Sequence, residues 1–295
     1  MSNIQSLGLL SLALLFSACS HKPSLEELQN FAATEQFPED QFLAQESHKK
    51  ALIIMAHDDD DCAMSGTIAK LTAAGWTIQQ MSFQIHLMPG KKENAASIIC
   101  AGNLPIVDDG IYRKGLDTMQ NPYLPIPYAE IAPQFYQEKI TAALIQKVNE
   151  FKPSAIFTLD NVKGGYGHPE HIYISQLVLD LFQAGKLDCQ RIYQSVFTDH
   201  MEREIVDTWL KAKMEKYGYP NPSEIANEMY GIEGMPAPNV QIDIQAQAQS
   251  KMAYLRAYPE NVKRNLRKFL PYYEDFKAEE YFKIFHHEYF RVIES

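Results

Sequence analysis

Between residues 51 and 102, short apolar runs alternate with amphipathic segments that each end in glycine, and this alternation restricts the chain to few folds. Ala51-Leu52-Ile53-Ile54-Met55-Ala56 is apolar at every position, as strands buried on both faces are. A helix is expected over about residues 62–74 with Gly75 closing it, then a strand over 76–85 and a helix over about 93–101 stopped by Gly102. This β-α-β-α order requires an α/β fold with a mostly parallel sheet and helices on its faces. Residues 117–133 hold Pro122, Pro125, Pro127 and Pro133 and read as an irregular loop. Ile140, Leu144, Val148 and Phe151 then recur at helical spacing until Pro153 stops them. A strand over 155–159, a helix over about 171–184 closed by Gly185 and a strand over 191–197 continue the alternation. The remainder is helix-rich, with breakers at 217–222 and 231–238, and residues 287–293 can close the sheet as a last strand.

Two polar clusters follow the strands at 51–56 and 155–159: His57-Asp58-Asp59-Asp60-Asp61, and Gly167-His168-Pro169-Glu170-His171. In parallel α/β sheets the loops at the carboxyl ends of strands gather along one edge, so clusters far apart in sequence can meet there. Each cluster alone is weak. Aspartates at a helix start can simply complement the macrodipole, and His-x-x-His pairs are often structural. Together they say more, because carboxylates crowded at one turn repel one another unless a cation neutralises them. A catalytic zinc takes three ligands from His, Asp, Glu or Cys and keeps one position for water. His57 and Asp60, three apart at a strand-to-helix turn, can point at one centre, and of His168 and His171 the metal needs only one. Calcium is the rival ion, but it prefers an all-oxygen shell, and the histidines argue against it. Cys62 adjoins the acidic cluster and reads as a small buried helix residue rather than a ligand.

Ala56 to Asp61 resembles the A-H-P-D-D-E motif, and His168 to His171 the H-P-x-H motif, of the PIG-L (LmbE-like) family of zinc-dependent de-N-acetylases. The resemblance covers about residues 49–258 and includes Glu93-Asn94-Ala95-Ala96 and Gly164-Gly165-Tyr166-Gly167. It implies a three-layer Rossmann-like sheet with helices on both faces. It also implies removal of acetyl from an N-acetylglucosamine-type sugar or glycoconjugate by metal-activated water. By position it makes His57, Asp60 and His171 the ligands of Zn2+ and Asp59 the general base, with His168 stabilising the oxyanion or protonating the leaving amine. Asp58 replaces the family's proline and Asp61 its glutamate, which adds a negative charge expected to tighten metal binding and lets Asp58 compete with Asp60. Lys251 to Tyr258 resembles the family's lysine-to-histidine segment, with tyrosine in place of histidine. Two alternatives follow from these departures: a glycan- or metal-binding protein without turnover, and a zinc amidohydrolase that cleaves a larger acyl amide.

A net charge of −10 over 295 residues argues against a nucleic-acid partner. The basic cluster Lys263, Arg264, Arg267 and Lys268 lies at helical spacing with Leu266, Phe269 and Leu270 and reads as a solvated helix face. Residues 7–16 form an apolar run too short to span a bilayer, and Phe16-Ser17-Ala18-Cys19 after it resembles a bacterial lipoprotein signal. Residues 1–18 are therefore expected to be a signal peptide, with a membrane anchor through lipid on Cys19, an exported envelope location, a tether over 19–48 with a short helix around residues 25–33, and the catalytic domain over 49–295. Plain secretory cleavage near Ala18 is the alternative. Cys62, Cys100 and Cys189 give no disulfide framework. His86 and His200 follow strands and are candidates to line the pocket, as is Tyr166, whereas His286 and His287 read as structural and Trp76 and Trp209 as core.

Overall fold

Six strands form one sheet: β1 (Lys50–His57), β2 (Thr77–Gln84), β3 (Ala155–Leu159), β4 (Arg191–Val196), β5 (Val240–Asp243) and β6 (His287–Glu294). Their order is β2-β1-β3-β4-β6-β5. β1 pairs in parallel with β2 and β3, and β3 with β4, whereas β6 runs antiparallel to both β4 and β5. The computed structural model describes residues 22–84 and 124–295. The signal-peptide region with Cys19, the helix expected over 93–101 with Glu93 to Ala96, His86 and Cys100 lie outside the described residues.

β1 shows why the sheet is covered on both faces. Side chains alternate along a strand, so a run that is apolar throughout must be buried on two sides. Ala51, Ile53 and Met55 enter one core, and Leu52, Ile54 and Ala56 enter the other. The first core is roofed by helices Ser65–Ala73, Ala248–Ala257, Glu260–Phe269 and Ala278–Ile284. The second is roofed by Gln137–Phe151, through Ile140, Leu144, Val148 and Phe151, and by Pro169–Gln183. The expected three-layer α/β architecture is therefore present, with a mixed sheet whose four consecutive strands β2, β1, β3 and β4 are parallel.

Several boundaries differ from the sequence expectation for local reasons. The helix expected from residue 62 is split into a 3-10 turn, Asp60–Met64, and an α-helix, Ser65–Ala73. Asp60 folds back to accept a hydrogen bond from the His57 backbone N–H at 2.8 Å, which tightens the first turn. The helix after the histidine loop starts at Pro169, earlier than expected, because proline presets φ for the first helical position and His168 serves as N-cap. The described part of the 117–133 loop contains helical turns at Tyr128–Ile131 and Ala132–Gln134 that bury Ile131. β5 was not expected; it is only four residues long. The stretch expected as a tether with a short helix around residues 25–33 carries a helix at Leu25–Gln29 and packs on the domain: Leu28 and Leu43 join the first core, and Asp40 accepts a hydrogen bond from the Tyr193 hydroxyl at 2.8 Å.

Candidate active site

The carboxyl ends of β1 and β3 carry the two polar clusters to one edge of the sheet, as the topology requires. His57 is the last residue of β1. After β3, the loop from residue 160 to 168 is folded around the Asp160 carboxylate, which accepts hydrogen bonds from the backbone N–H groups of Val162 (3.0 Å), Lys163 (2.6 Å) and Gly165 (2.7 Å). Gly167 adopts φ +97°, and a Cβ there would sit 2.6 Å from the Cβ of Ala226, so the loop cannot take a larger residue without moving. Asp160 was not anticipated as a site residue; the only sequence signal for it is its place between the strand and the glycine run.

Three atoms converge at this edge. His57 Nδ1 lies 3.0 Å from His171 Nε2 and 3.3 Å from Asp60 Oδ1, and His171 Nε2 lies 3.2 Å from the same Asp60 oxygen. The opposite ring nitrogens are already engaged. His57 Nε2 meets the buried Glu170 carboxylate at 2.5 Å, and His171 Nδ1 meets the Gly164 carbonyl at 2.9 Å. Both partners are acceptors, so those ring nitrogens carry the protons of the neutral imidazoles, and both facing nitrogens present lone pairs beside a carboxylate oxygen. Three acceptors aimed at one point are repulsive unless a proton or a metal cation sits among them. A tetrahedral ion with bonds of about 2.0–2.1 Å has ligand-to-ligand edges of about 3.3 Å, so the observed triangle fits one. Glu170 and the Gly164 carbonyl are the partners that orient such ligands. Glu170 is a second residue the sequence reading passed over, although its place between two histidines was a signal.

Without an ion, burial opposes charge on His57, but Asp60 and Glu170 outweigh it and lift its pKa well above the ordinary histidine value. Burial likewise opposes charge on Asp60, and the two histidines overcome it and hold the carboxyl well below its ordinary range. His168 moves the other way: burial, then the neighbouring His171 and His57, depress its pKa well below the ordinary value. Its Nδ1 accepts the Glu170 backbone N–H at 3.3 Å, which leaves the proton of the neutral ring on Nε2. Asp59 precedes the 3-10 turn and lines the cavity, and its carboxylate, His57 and Asp60 offer ligand atoms within 4.8 Å of one another.

The four aspartates separate. Asp58 is fully buried. Asp61, also fully buried, accepts hydrogen bonds from the hydroxyls of Tyr254 (2.7 Å) and Tyr258 (3.0 Å). Its carboxylate is turned to the two tyrosine hydroxyls. Tyr258 accordingly lies in the core behind the turn. Lys251, from the same helix, pairs with Glu288, whose carboxylate also caps the N-terminus of Ser65–Ala73 by accepting from Gly66 and Thr67.

The remaining candidates divide. Tyr166 lines the cavity and turns its ring edge-on to His171. His200 does not reach the site; its ring meets the Asn30 carbonyl at 2.9 Å. His287 has a partner after all, Glu39 at 2.7 Å. The Cys62 thiol lines the cavity, and burial with the adjacent aspartates pushes its pKa up. Arg267 pairs with Glu260 and Glu274, and Lys263 with Glu260, so two of the four basic residues have carboxylate partners. Trp76 is core, whereas Trp209 is half-buried against Phe31 and Tyr272.

Residues 52–182, which include both clusters, match the model of the PIG-L family, described as GlcNAc-PI de-N-acetylase. No curated protein sequence matches the chain. Among solved structures, 4-carboxy-2-hydroxymuconate hydratase from Pseudomonas putida is 11% identical, with a TM-score of 0.47 over 84% of this chain and 97% of that one. N,N'-diacetylchitobiose deacetylase from Pyrococcus horikoshii is 16% identical, with a TM-score of 0.42 over 86% and 89%. A deacetylase of teicoplanin biosynthesis, solved with teicoplanin, is 12% identical, with a TM-score of 0.45 over 83% and 98%.

Proposed function

We propose that this protein is a zinc-dependent hydrolase that cuts the N-acyl amide of an N-acetylglucosamine-type sugar or glycoconjugate, acetyl being the PIG-L family's acyl group. The observation that carries the proposal is the triangle of His57 Nδ1, Asp60 Oδ1 and His171 Nε2, with edges of 3.0–3.3 Å, beside the cavity that Asp59 and His168 line. His57, Asp60 and His171 would hold the ion. When bound, a zinc ion supplies polarisation of the amide carbonyl and lowers the pKa of water to ~7.

The protein's own residues do the rest. Asp59 takes the proton of the attacking water. The Nε2–H of His168 bonds the carbonyl oxygen as negative charge develops there, and because it is a neutral donor it spends no proton in doing so. The proton held by Asp59 then passes to the amine nitrogen, the C–N bond breaks, and carboxylate and free amine leave. Glu170 keeps the His57 ring in the tautomer that presents Nδ1.

Export and a lipid anchor at Cys19 belong to the same proposal and rest on the apolar run of residues 7–16 and the sequence around Cys19. Among the described residues, no helix is long and apolar enough to cross a membrane. The test is zinc content together with acetate release from a panel of N-acetylglucosamine compounds. One zinc per chain with acetate release is expected, and its loss on Asp59→Asn with zinc retained assigns the base. Zinc bound without release of any carboxylate, from short or long acyl amides, would leave a binding protein.

A further inference from the structure

The cavity beside His57, His168 and His171 is larger than an acetyl group needs. Its volume is about 240 Å³. A protein cavity of about 150 Å³ accommodates benzene, with six carbons, so this one has room for roughly ten. Acetyl brings two.

The walls away from the histidines are mostly apolar, although Ser195, Lys251, His287 and Glu288 also line the cavity. Leu159 and Val196 close the space at the strand ends, Leu266 and Phe282 close it from the helical layer, and all four are buried. The remaining wall is built in an unusual way. Glu202–Leu210 is wound as a π-helix, and Met201, Ile205 and Leu210 all face the cavity. In an α-helix, residues nine apart are about two and a half turns apart and point in opposite directions. The wider i→i+5 winding brings nine residues close to two full turns, so Met201 and Leu210 share a face with Ile205 between them. The result is one continuous hydrocarbon surface. π-Helical turns are rare and recur at functional sites. The start of this one is fixed by Glu202, which pairs with the buried Lys163 and accepts the Met235 backbone N–H at 2.7 Å.

Polar groups line the cavity as well. Tyr166, Asn265 and Lys268 are among them and are only partly buried. A sugar's hydroxyls, buried among Ile205, Leu210 and Phe282, would lose hydrogen bonds to water with nothing to replace them. The sugar therefore belongs beside these polar groups and the acyl group among the apolar side chains.

We infer that the apolar arm receives the hydrocarbon chain of the N-acyl group, so that the favoured substrate is an amino sugar bearing an acyl chain longer than acetyl. This rests on the amide-hydrolase reading above. The test uses the full zinc-loaded protein and three compounds: N-acetylglucosamine, N-octanoylglucosamine and the octyl glycoside of N-acetylglucosamine. N-octanoylglucosamine is expected to exceed N-acetylglucosamine in kcat/KM by on the order of 100-fold or more, given the methylenes it buries. Leu210→Trp, which fills the arm, should lower that ratio tenfold or more.

Equal rates for the two N-acyl sugars would overturn the inference, and preference for the octyl glycoside would assign the arm to the amine side. If none of the three is hydrolysed, the hydrolase reading fails, and calorimetric binding still decides the arm. N-octanoylglucosamine binding 100-fold tighter than N-acetylglucosamine, and tighter than the octyl glycoside, upholds it; equal affinities sink it.

Discussion

Replacing Glu170 isolates what the second cluster contributes beyond its histidines. The Glu170 carboxylate is 1% exposed and meets His57 Nε2 at 2.5 Å. It fixes the tautomer that turns a lone pair at Nδ1 toward Asp60 and His171. Glu170→Gln keeps the size and an acceptor oxygen but removes the charge that makes the ring a stronger donor, whereas Glu170→Leu removes both. Partners of this kind change metal affinity by about 10–100-fold, which is about 1.4–2.7 kcal/mol. Glu170→Gln should fall at the lower end and Glu170→Leu at or beyond the upper end. The leucine variant also leaves the His57 ring nitrogen without its acceptor, at a stability cost of about 1–3 kcal/mol in the metal-free protein. Zinc affinity would be read by competition with a chelator of known strength, and stability by urea denaturation with and without zinc. An unchanged zinc affinity in Glu170→Leu, with the fold intact, would refute the claim that this carboxylate orients a ligand.

Asp59→Asn should reduce kcat by about 10²–10⁴-fold at full zinc occupancy, since it removes the proton acceptor but none of the three converging atoms; loss of zinc in parallel would make Asp59 a ligand instead. Tyr254→Phe removes a hydroxyl bonded at 2.7 Å to the buried Asp61 and should cost about 1.5–3 kcal/mol in urea denaturation; a change within 0.5 kcal/mol would show that Asp61 finds another partner. In the metal-free protein the raised His57 pKa means that the folded state binds its proton more tightly than the unfolded chain does. Its contribution to stability is present in full below pH 6.5, the unfolded value, and is lost as pH rises through the folded value. Because zinc must displace that proton, apparent zinc affinity should climb with pH across the same window, and a flat profile would contradict the assignment of His57. Gly167→Ala places a Cβ 2.6 Å from that of Ala226 at φ +97° and should cost more than ~1 kcal/mol while shifting the histidine loop; wild-type stability and zinc affinity would count against the loop's role.

The parts of this molecule that could be read in the sequence are those in which one residue's neighbours in the chain decide its environment. The run from Ala51 to Ala56 must be covered on both faces whatever else the protein contains, and the spacing of Ile140, Leu144, Val148 and Phe151 allows only one buried stripe. His57 and His171 could be paired because strand ends in a parallel sheet share an edge. What could not be read depends on partners more than a hundred residues away. The tautomer of His57 is set by Glu170, and the fate of Asp61 by Tyr254 and Tyr258. The π winding of Glu202–Leu210 has no periodic signature that separates it from an ordinary amphipathic α-helix.

The acidic cluster makes the difference concrete. In the sequence it is a single electrostatic problem, a block of aspartates that a cation would relieve. In the fold the 3-10 turn distributes the side chains, and Asp60 joins the histidines, with Asp59 beside it at the cavity wall. The Asp61 carboxylate is turned to two tyrosine hydroxyls, so charge density alone was never the reason to place an ion here. The reason is narrower and stronger: two imidazole lone pairs and one carboxylate oxygen, each oriented by a separate buried partner, meet within 3.3 Å. Substituting Asp61 should therefore change stability and leave zinc affinity nearly unchanged, whereas Asp60→Asn should abolish tight zinc binding. If the two variants lost zinc equally, the crowded-charge account would be the better one.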